Sequence, residues 1–197
     1  RLALITGAAK LFRRQGFDAT STRDIAAAVG MQSGSPFYHF ESKGALLYAV
    51  MEEGMRSAIA HQQRALDAAC ARNDVLAKED QSAQSANDVM AILVRNHFDI
   101  LLGPGSDFIP VMLYESRSIT ASQRAVLATL QSEYEAVWVP VLDALHASGQ
   151  LKADVKLARL LIFGALNWSV QWYDRSKSAS LDDLASAAMA LFIQDKK

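Results

Sequence analysis

This chain of 197 residues has few residues that cross-link or interrupt a fold: one cysteine (Cys70), four prolines and ten glycines. A single cysteine excludes a disulfide framework and a thiolate metal cluster. No apolar run is long enough to cross a bilayer, and no basic-then-apolar secretory leader is present. We therefore expect a cytoplasmic protein. Because Arg1 already lies in a helical pattern and is not a methionine, we also expect residues before it.

Motifs for catalysis and metal binding are also missing. The sequence has no glycine-flanked nucleophilic serine, no phosphate-binding loop and no paired carboxylates at a spacing that suits acid-base chemistry. His61, His97 and His146 lie on separate predicted helices without metal-site spacing, so a surface or core position is expected for each. We predict no metal, no cofactor and no enzymatic activity.

What the chain does contain is helical periodicity. Hydrophobic residues make up 51% of the sequence, with no sustained strand alternation. An all-α fold is predicted, with a small domain at 1–46 and a larger helical domain at 47–197. Pro140 is expected to kink the helix that contains it, and 72–85 is predicted as a loop or a frayed helix start. The predicted helices are 2–15, 21–29, 32–38, 43–71, 87–102, 107–115, 122–147, 156–176 and 181–194.

The segment from 21 to 46 has the pattern of two short helices joined by a glycine turn. Ser21 and Asp24 have the spacing of a capping box, and Gly30 follows where the chain must turn sharply. Lys43 stands at the start of the next helix, where a cation suits a phosphate oxygen. Small and polar side chains of the second helix are expected to meet base edges and phosphates: Gln32, Ser33, Ser35, Tyr38 and His39.

Charge is distributed unevenly along the chain. Residues 1–51 carry six cationic and three anionic side chains, a net +3, so the formal net charge of −1 leaves −4 for the rest. A patch of this size alone is more often a solvated face. Because it coincides with the paired helices, it supports nucleic-acid binding.

A multi-position pattern gives this region a family resemblance. In register it contains Ile5, Ala8, Leu11, Phe12, Gly16, Phe17, Ser21, Ile25, Ala26, Gly30, Gly34, Phe37, Phe40, Lys43 and Leu46. The pattern resembles the DNA-binding domain of TetR-family transcriptional regulators. The family usually has a tyrosine in place of Phe37, whose hydroxyl commonly touches a phosphate, so Tyr38 or His39 is expected to supply that contact. The predicted DNA interface comprises Ser21, Thr22, Arg23, Gln32, Ser33, Ser35, Phe37, Tyr38, His39 and Lys43.

A second informative segment runs from 160 to 173. Gly164, Trp168 and Trp172 are four residues apart, as are Asn167 and Gln171, so aromatic and amide groups lie along adjoining helical faces. Tryptophans at this spacing most often pack in a core or an interface. The alternative is a ligand pocket with an apolar wall and a few polar groups. The pattern leaves both open.

The resemblance extends, over few residues, to TetR-family members that control fatty-acid or aromatic catabolism, several of which sense acyl-CoA thioesters. It implies a ligand site in the helical body and a dimer formed by the last two helices. The apolar stripes of these helices are Leu157, Leu160, Leu161 and Ala165, then Leu181, Leu184, Ala188 and Leu191. For the five candidates on the middle helices, Phe98, Phe108, Met112, Tyr114 and Trp138, packing in the core is the expected role unless they line a pocket. The candidate ligand residues are Phe98, Phe108, Met112, Tyr114, Trp138, Asn167, Trp168, Gln171 and Trp172.

These observations predict a homodimeric regulator, most simply a repressor, that binds a double-stranded, palindromic DNA operator and leaves it when a hydrophobic small molecule binds, for which an acyl-CoA is one candidate. The two reading helices should enter major grooves about 34–36 Å apart. No membrane partner is expected. Two other classes fit less well: a helical enzyme with an N-terminal helix-turn-helix, and a ligand-independent module that binds DNA or protein.

Overall fold

The structure is a computed structural model that describes residues 1–32, 38–71, 82–177 and 179–194. These residues form nine α-helices, a 3₁₀ turn at Ser116–Ser118 and no strand, which confirms the all-α prediction. None of the described helices is long and apolar enough to span a bilayer. The helices are α1 (Leu2–Gln15), α2 (Thr22–Ala28), α3 (Lys43–Ala71), α4 (Ser82–Leu102), α5 (Phe108–Glu115), α6 (Ala121–Ala136), α7 (Trp138–Ala147), α8 (Val155–Trp172) and α9 (Leu181–Phe192).

Two predicted helices have the observed bounds, and others do not. α1 and α3 agree at both ends, whereas α4 begins at Ser82, five residues before the predicted start. α8 ends at Trp172 instead of 176, because the carboxylate of Asp174 accepts hydrogen bonds from the amide and hydroxyl of Ser176, at 3.0 and 2.7 Å. This local turn competes with helical hydrogen bonding. The predicted reading helix at 32–38 lies mostly outside the described residues.

Pro140 has a stronger effect than the predicted kink. The helix predicted at 122–147 is two helices in the structure, α6 ending at Ala136 and α7 beginning at Trp138. Proline has no amide hydrogen, and its ring clashes with the carbonyl four residues earlier, which here belongs to Ala136. Within the first turn of α7 the same proline is tolerated, because the amides there have no intrahelical partner.

The described residues divide into two compact units. The first unit comprises 1–57 and 105–131, and the second comprises 58–104 and 132–197. In the first unit α1 packs against both α2 and α5, with Leu4, Ile5, Phe12 and Ile25 buried. This division differs from the predicted domains 1–46 and 47–197, which stay a prediction.

The second unit is built around α4, which packs against α7, α8 and α9. Its core includes Met90, Leu93, Trp138 and Leu142, none of which has any exposed surface. Part of the apolar stripe predicted for dimerisation on α9 also serves this core, because Leu181 and Ala188 are buried within the chain. The exposed apolar surface therefore lies mainly on α8. Its large exposed side chains are Leu157, Leu160, Leu161, Trp168 and Trp172.

Candidate nucleic-acid interface and helical body

The predicted capping box is present at the start of α2. The Ser21 hydroxyl accepts a hydrogen bond from the Asp24 amide at 3.1 Å, and the Asp24 carboxylate accepts from the Ser21 amide at 2.8 Å. Hydrogen bonds from the Ser21 hydroxyl and amide lower the pKa of Asp24 below its ordinary value. These bonds satisfy otherwise unpaired groups at the helix start, so α2 begins at a defined residue.

A glycine turn follows α2, as predicted. Gly30 has a φ of 70°, in the left-handed region that glycine adopts at little cost. The Met31 amide donates to the Ala26 carbonyl at 2.8 Å, and the Gly30 amide donates to the Ala27 carbonyl at 3.1 Å. These two bonds are those of a Schellman motif, which ends a helix and reverses the chain. The turn therefore directs the chain into the segment predicted to read DNA.

The structure describes six of the other predicted DNA contacts and leaves three outside. Arg23, Gln32 and His39 are exposed, and Tyr38 is 89% exposed, which leaves them accessible to a partner. Thr22 is half-buried, and Lys43 is treated separately below. The three predicted contacts that lie outside the described residues are Ser33, Ser35 and Phe37.

Lys43 has contacts that the sequence did not reveal. Its ammonium donates to the carbonyls of Phe17 and Thr20, at 2.8 and 2.9 Å, and lies 4.2 Å from the centre of the Phe17 ring. The side chain therefore anchors the loop between α1 and α2. These partners are 26 and 23 residues away in sequence, beyond the reach of any local pattern. A phosphate contact by Lys43 stays a prediction.

Other cations of the N-terminal region also have internal partners. Arg13 donates to the Ser106 carbonyl and pairs with the Asp107 carboxylate at 3.3 Å. The guanidinium of Arg1 lies 5.2 Å from the centre of the Phe40 ring. The net charge counted from the sequence therefore overstates what is free to meet DNA. Five cations of this region are exposed, and three of them have no internal partner described above: Lys10, Arg14 and Arg23.

The nine candidate ligand residues fall in different parts of the structure. Three of them, Phe108, Met112 and Tyr114, belong to α5 in the first unit. In the second unit Phe98 and Trp138 are buried core residues, and Asn167 is half-buried. The remaining three are exposed on α8, namely Trp168, Gln171 and Trp172. The expectation that core packing is the default therefore holds for Phe98 and Trp138.

A buried polar cluster holds the centre of the second unit. His97 lies 2.9 Å from the Tyr134 hydroxyl through Nδ1 and 3.1 Å from the Asn167 side-chain oxygen through Nε2. A neutral imidazole satisfies both contacts, with Tyr134 donating to Nδ1 and Nε2 donating to Asn167. Burial lowers the pKa of His97 to about 4, which keeps the ring neutral. The side-chain oxygen of Asn167 is therefore already hydrogen-bonded within the core.

The indole of Trp138 belongs to the same core. Its Nε1 donates to the Gln62 side chain at 2.8 Å, and Gln62 donates onward to the Tyr134 carbonyl at 3.0 Å. The Phe163 ring lies 4.7 Å from the Trp138 ring and 5.3 Å from the His97 ring, measured between centres. Sequence analysis missed this cluster. The available signal was the spacing of Met90, Val94, His97 and Leu101 on one helical face, because all four are buried.

A capped helix and a Schellman turn before exposed polar residues, together with a helical second unit, are the described features of a helix-turn-helix DNA-binding protein with a helical body; the second helix of the motif is predicted at 32–38, mostly outside the described residues. The family model described as bacterial regulatory proteins, tetR family, matches residues 4–50. The model described as Tetracyclin repressor-like, C-terminal domain, matches residues 83–195, more than half of the chain. The chain belongs to the TetR family of transcriptional regulators. Proteins of this family are generally not enzymes.

One repressor is similar to this chain over nearly its whole length, and two solved structures share its fold. The repressor KstR2 of Rhodococcus jostii RHA1 is 27% identical over 201 residues, an alignment that covers 98% of this chain and 89% of KstR2. The crystal structure of the superantigen PfiT is 33% identical with a TM-score of 0.74, covering 98% and 95% of the two chains. AibR, solved with isovaleryl coenzyme A and operator DNA, is 19% identical with a TM-score of 0.79, covering 97% and 96%, and shows the fold alone.

Proposed function

We propose that the protein is a homodimeric repressor that binds a two-fold symmetric operator and releases it when a hydrophobic small molecule binds the helical body. The observation that carries the proposal is the capped α2 followed by the Schellman turn at Gly30 and exposed Gln32, Tyr38 and His39. This is the local geometry that delivers a reading helix to a DNA groove. The similarity to the repressor KstR2 supports the sign of regulation.

In the dimer, two copies of the segment at 32–38 enter successive major grooves, about 34–36 Å apart. Exposed Arg23 and Tyr38 are available to phosphates beside those grooves. The proposed base contacts belong to Gln32, Ser33 and Ser35, whose short polar side chains suit base edges. Phe37, His39, Thr22 and Lys43 complete the proposed interface.

For the effector we propose an acyl-CoA thioester. AibR has been solved with isovaleryl coenzyme A and operator DNA, and this chain has the same fold. On α8 the exposed Trp168, Gln171 and Trp172 provide aromatic and amide groups that an acyl chain or a thioester could contact. The effector must bind more tightly to a conformation in which the two reading helices are wrongly spaced for DNA. α3, which contributes residues to both units, is the proposed connection.

The test begins with selection of bound sequences from a library of random duplexes. We expect a two-fold symmetric motif, and recovery of no symmetric motif would contradict the proposed operator. Anisotropy of the selected duplex is then measured with isovaleryl-CoA and octanoyl-CoA. At least one is expected to weaken DNA binding. Operator DNA must then lower the protein's affinity for that thioester by the same factor. DNA binding that neither thioester changes would exclude these acyl-CoA effectors and leave the operator result standing.

Two tryptophan variants assign the α8 surface. If Trp168 or Trp172 lines the effector site, replacing it with alanine lowers thioester affinity while the dimer persists. If alanine at these positions abolishes dimerisation and leaves effector affinity unchanged, the rings belong to the interface. Light scattering and thioester titration on the same samples separate the two outcomes.

A further inference from the structure

A groove of about 590 Å³ lies in the second unit, between residues of α3, α4 and the first turn of α9. Its apolar part consists of Ala65, Ala68, Ala91 and Ile92. Its polar part consists of His61, Arg95, Asn96, Asp99 and Asp182. None of these residues is among the candidates for the hydrophobic effector.

Asn96 is the unusual residue of this groove. Only 5% of its surface is exposed, and its Oδ1 lies 2.6 Å from Nδ1 of His61. Its Nδ2 is buried and has no hydrogen-bond partner. A buried donor without an acceptor costs free energy, because it has lost its contacts with water and gained nothing in return. A bound molecule that brings an acceptor oxygen to Nδ2 would remove that cost.

The charges of the groove limit what this molecule can be. Arg95 is the one cation among the lining residues when histidine is counted as neutral, and it pairs with both Asp99, at 3.2 Å, and Asp182. Two carboxylates against one guanidinium leave the lining with a net −1. An anionic ligand would be repelled by the net charge of this lining, because the guanidinium is already paired with two carboxylates, although its Nη1 makes no hydrogen bond.

The hydrogen-bonding groups point to a neutral ligand with both a donor and an acceptor. When Nδ1 of His61 donates to Asn96, Nε2 of the neutral ring is left as an acceptor. The groove then offers two buried nitrogens without a hydrogen-bond partner, Nδ2 of Asn96 and Nη1 of Arg95, together with acceptors on His61 and Asp182. An amide matches this set, because its carbonyl accepts and its N–H donates.

We propose that this groove binds a neutral small molecule in which an amide adjoins a short apolar chain, with the amide carbonyl on Nδ2 of Asn96 and the chain against Ala65, Ala68 and Ala91. None of the lining residues belongs to the proposed operator contacts or to the proposed effector contacts. The existence of the site is therefore tested by ligand binding, without DNA.

The test uses three probes with the same six-carbon chain: hexanamide, hexanoate and hexylamine. Each is titrated into the full-length ¹⁵N-labelled protein and followed by amide chemical shifts. We expect hexanamide to saturate shifts of α3 and α4 residues around the groove in the millimolar range, and hexanoate to bind at least tenfold more weakly. Equal binding of hexanoate, or tighter binding of hexylamine, would overturn the proposed class. Absence of any saturable shift with hexanamide up to 20 mM, about the weakest binding that so small a ligand should show, would overturn the site.

Variants locate the probe. Asn96→Asp replaces the unsatisfied donor with an acceptor of the same shape. The substitution should lower the affinity for hexanamide at least fivefold. Because that buried change can affect folding, Ala68→Trp provides a second test by filling the groove from α3, and Ala60→Trp is its control on an exposed position of the same helix. Ala68→Trp should abolish hexanamide binding while Ala60→Trp retains it. Equal affinities in these two variants would place the probe elsewhere and refute the proposal.

Discussion

At the scale of single residues, the Lys43 side chain forms hydrogen bonds with residues that are distant in sequence. Its ammonium holds two carbonyls of the loop before α2, so the loop depends on a residue from the start of α3. Hydrogen bonds from a charged donor are stronger than those between neutral groups. The loop position, and with it the start of α2, is expected to depend on this contact.

We predict that Lys43→Ala lowers the free energy of unfolding by about 1–2 kcal/mol, because two carbonyls lose a charged donor. Urea denaturation measures this change, with Lys10→Ala, an exposed position on α1, as the control that should alter stability little. The salt dependence of DNA binding tests the proposed phosphate contact separately. Loss of about one unit of slope supports the contact, and an unchanged slope removes Lys43 from the phosphate-binding residues.

His97 gives a prediction about pH. Its pKa is about 4 in the fold and near 6.5 when unfolded. Between these pH values the His97 ring is protonated in the unfolded chain and neutral in the folded chain. Stability is therefore complete above about pH 6.5 and falls as the pH drops toward 4. By pH 4.5 this single group should cost about 2–3 kcal/mol. Urea unfolding at pH 7 and pH 4.5 measures the difference.

The matched variants are His97→Gln and His39→Gln. The first removes the titrating ring from the core and should shrink the loss between the two pH values by about 2 kcal/mol. The second removes an exposed ring and should leave that loss unchanged. If both variants lose stability at low pH as the natural protein does, another group is responsible.

At the scale of elements, the capping box of α2 has a close counterpart at the start of α6. There Thr120 accepts from the Gln123 amide at 3.2 Å, and the Gln123 side chain accepts from the Thr120 amide at 3.0 Å. We predict that Ser21→Ala and Thr120→Ala each lower stability by about 1 kcal/mol. Only Ser21→Ala should also weaken operator binding, because α2 adjoins the reading segment. Equal DNA affinities of the two variants would show that the cap serves stability alone.

The success of sequence reasoning at this scale depended on how local each signal is. Helix ends set by neighbouring residues were predictable: Gly16 ends α1, and Ser21 with Asp24 starts α2. The Pro140 break was predictable in place and underestimated in degree. The hydrogen bonds of Lys43 and Asn167 were not predictable from the sequence. The partners of Lys43 are 23 and 26 residues away and that of Asn167 is 70 residues away, and only packing brings them together.

At the scale of the whole molecule, α8 has a face of exposed, large apolar side chains. Leu157, Leu160 and Leu161 are each more than half exposed, as are Trp168 and Trp172 farther along the helix. Apolar patches of this kind mark interaction surfaces. The TetR family forms dimers, and a two-fold interface would place this face of α8 against its copy.

We predict that the natural protein has twice the chain mass in light scattering at micromolar concentration, and that the double variant Leu157→Glu, Leu161→Glu has the mass of one chain. The carboxylates cannot be buried without a large desolvation penalty. Val126→Glu, on an exposed position of α6, is the control and should remain dimeric. A natural protein that binds DNA as a monomer would refute the assignment.

The composition of the first unit has a consequence for domain exchange among related regulators. Arg13 is tied to Ser106 and Asp107, and the amide of Phe17 donates to Glu115 at 3.0 Å, so residues from the middle of the chain hold the N-terminal helices. A chimera that joins this chain's first 57 residues to another regulator's body would lose these partners and leave Arg13 and the Phe17 amide unpaired. A transplantable DNA-binding module must therefore include 105–131 as well, two separate segments of the chain inherited together.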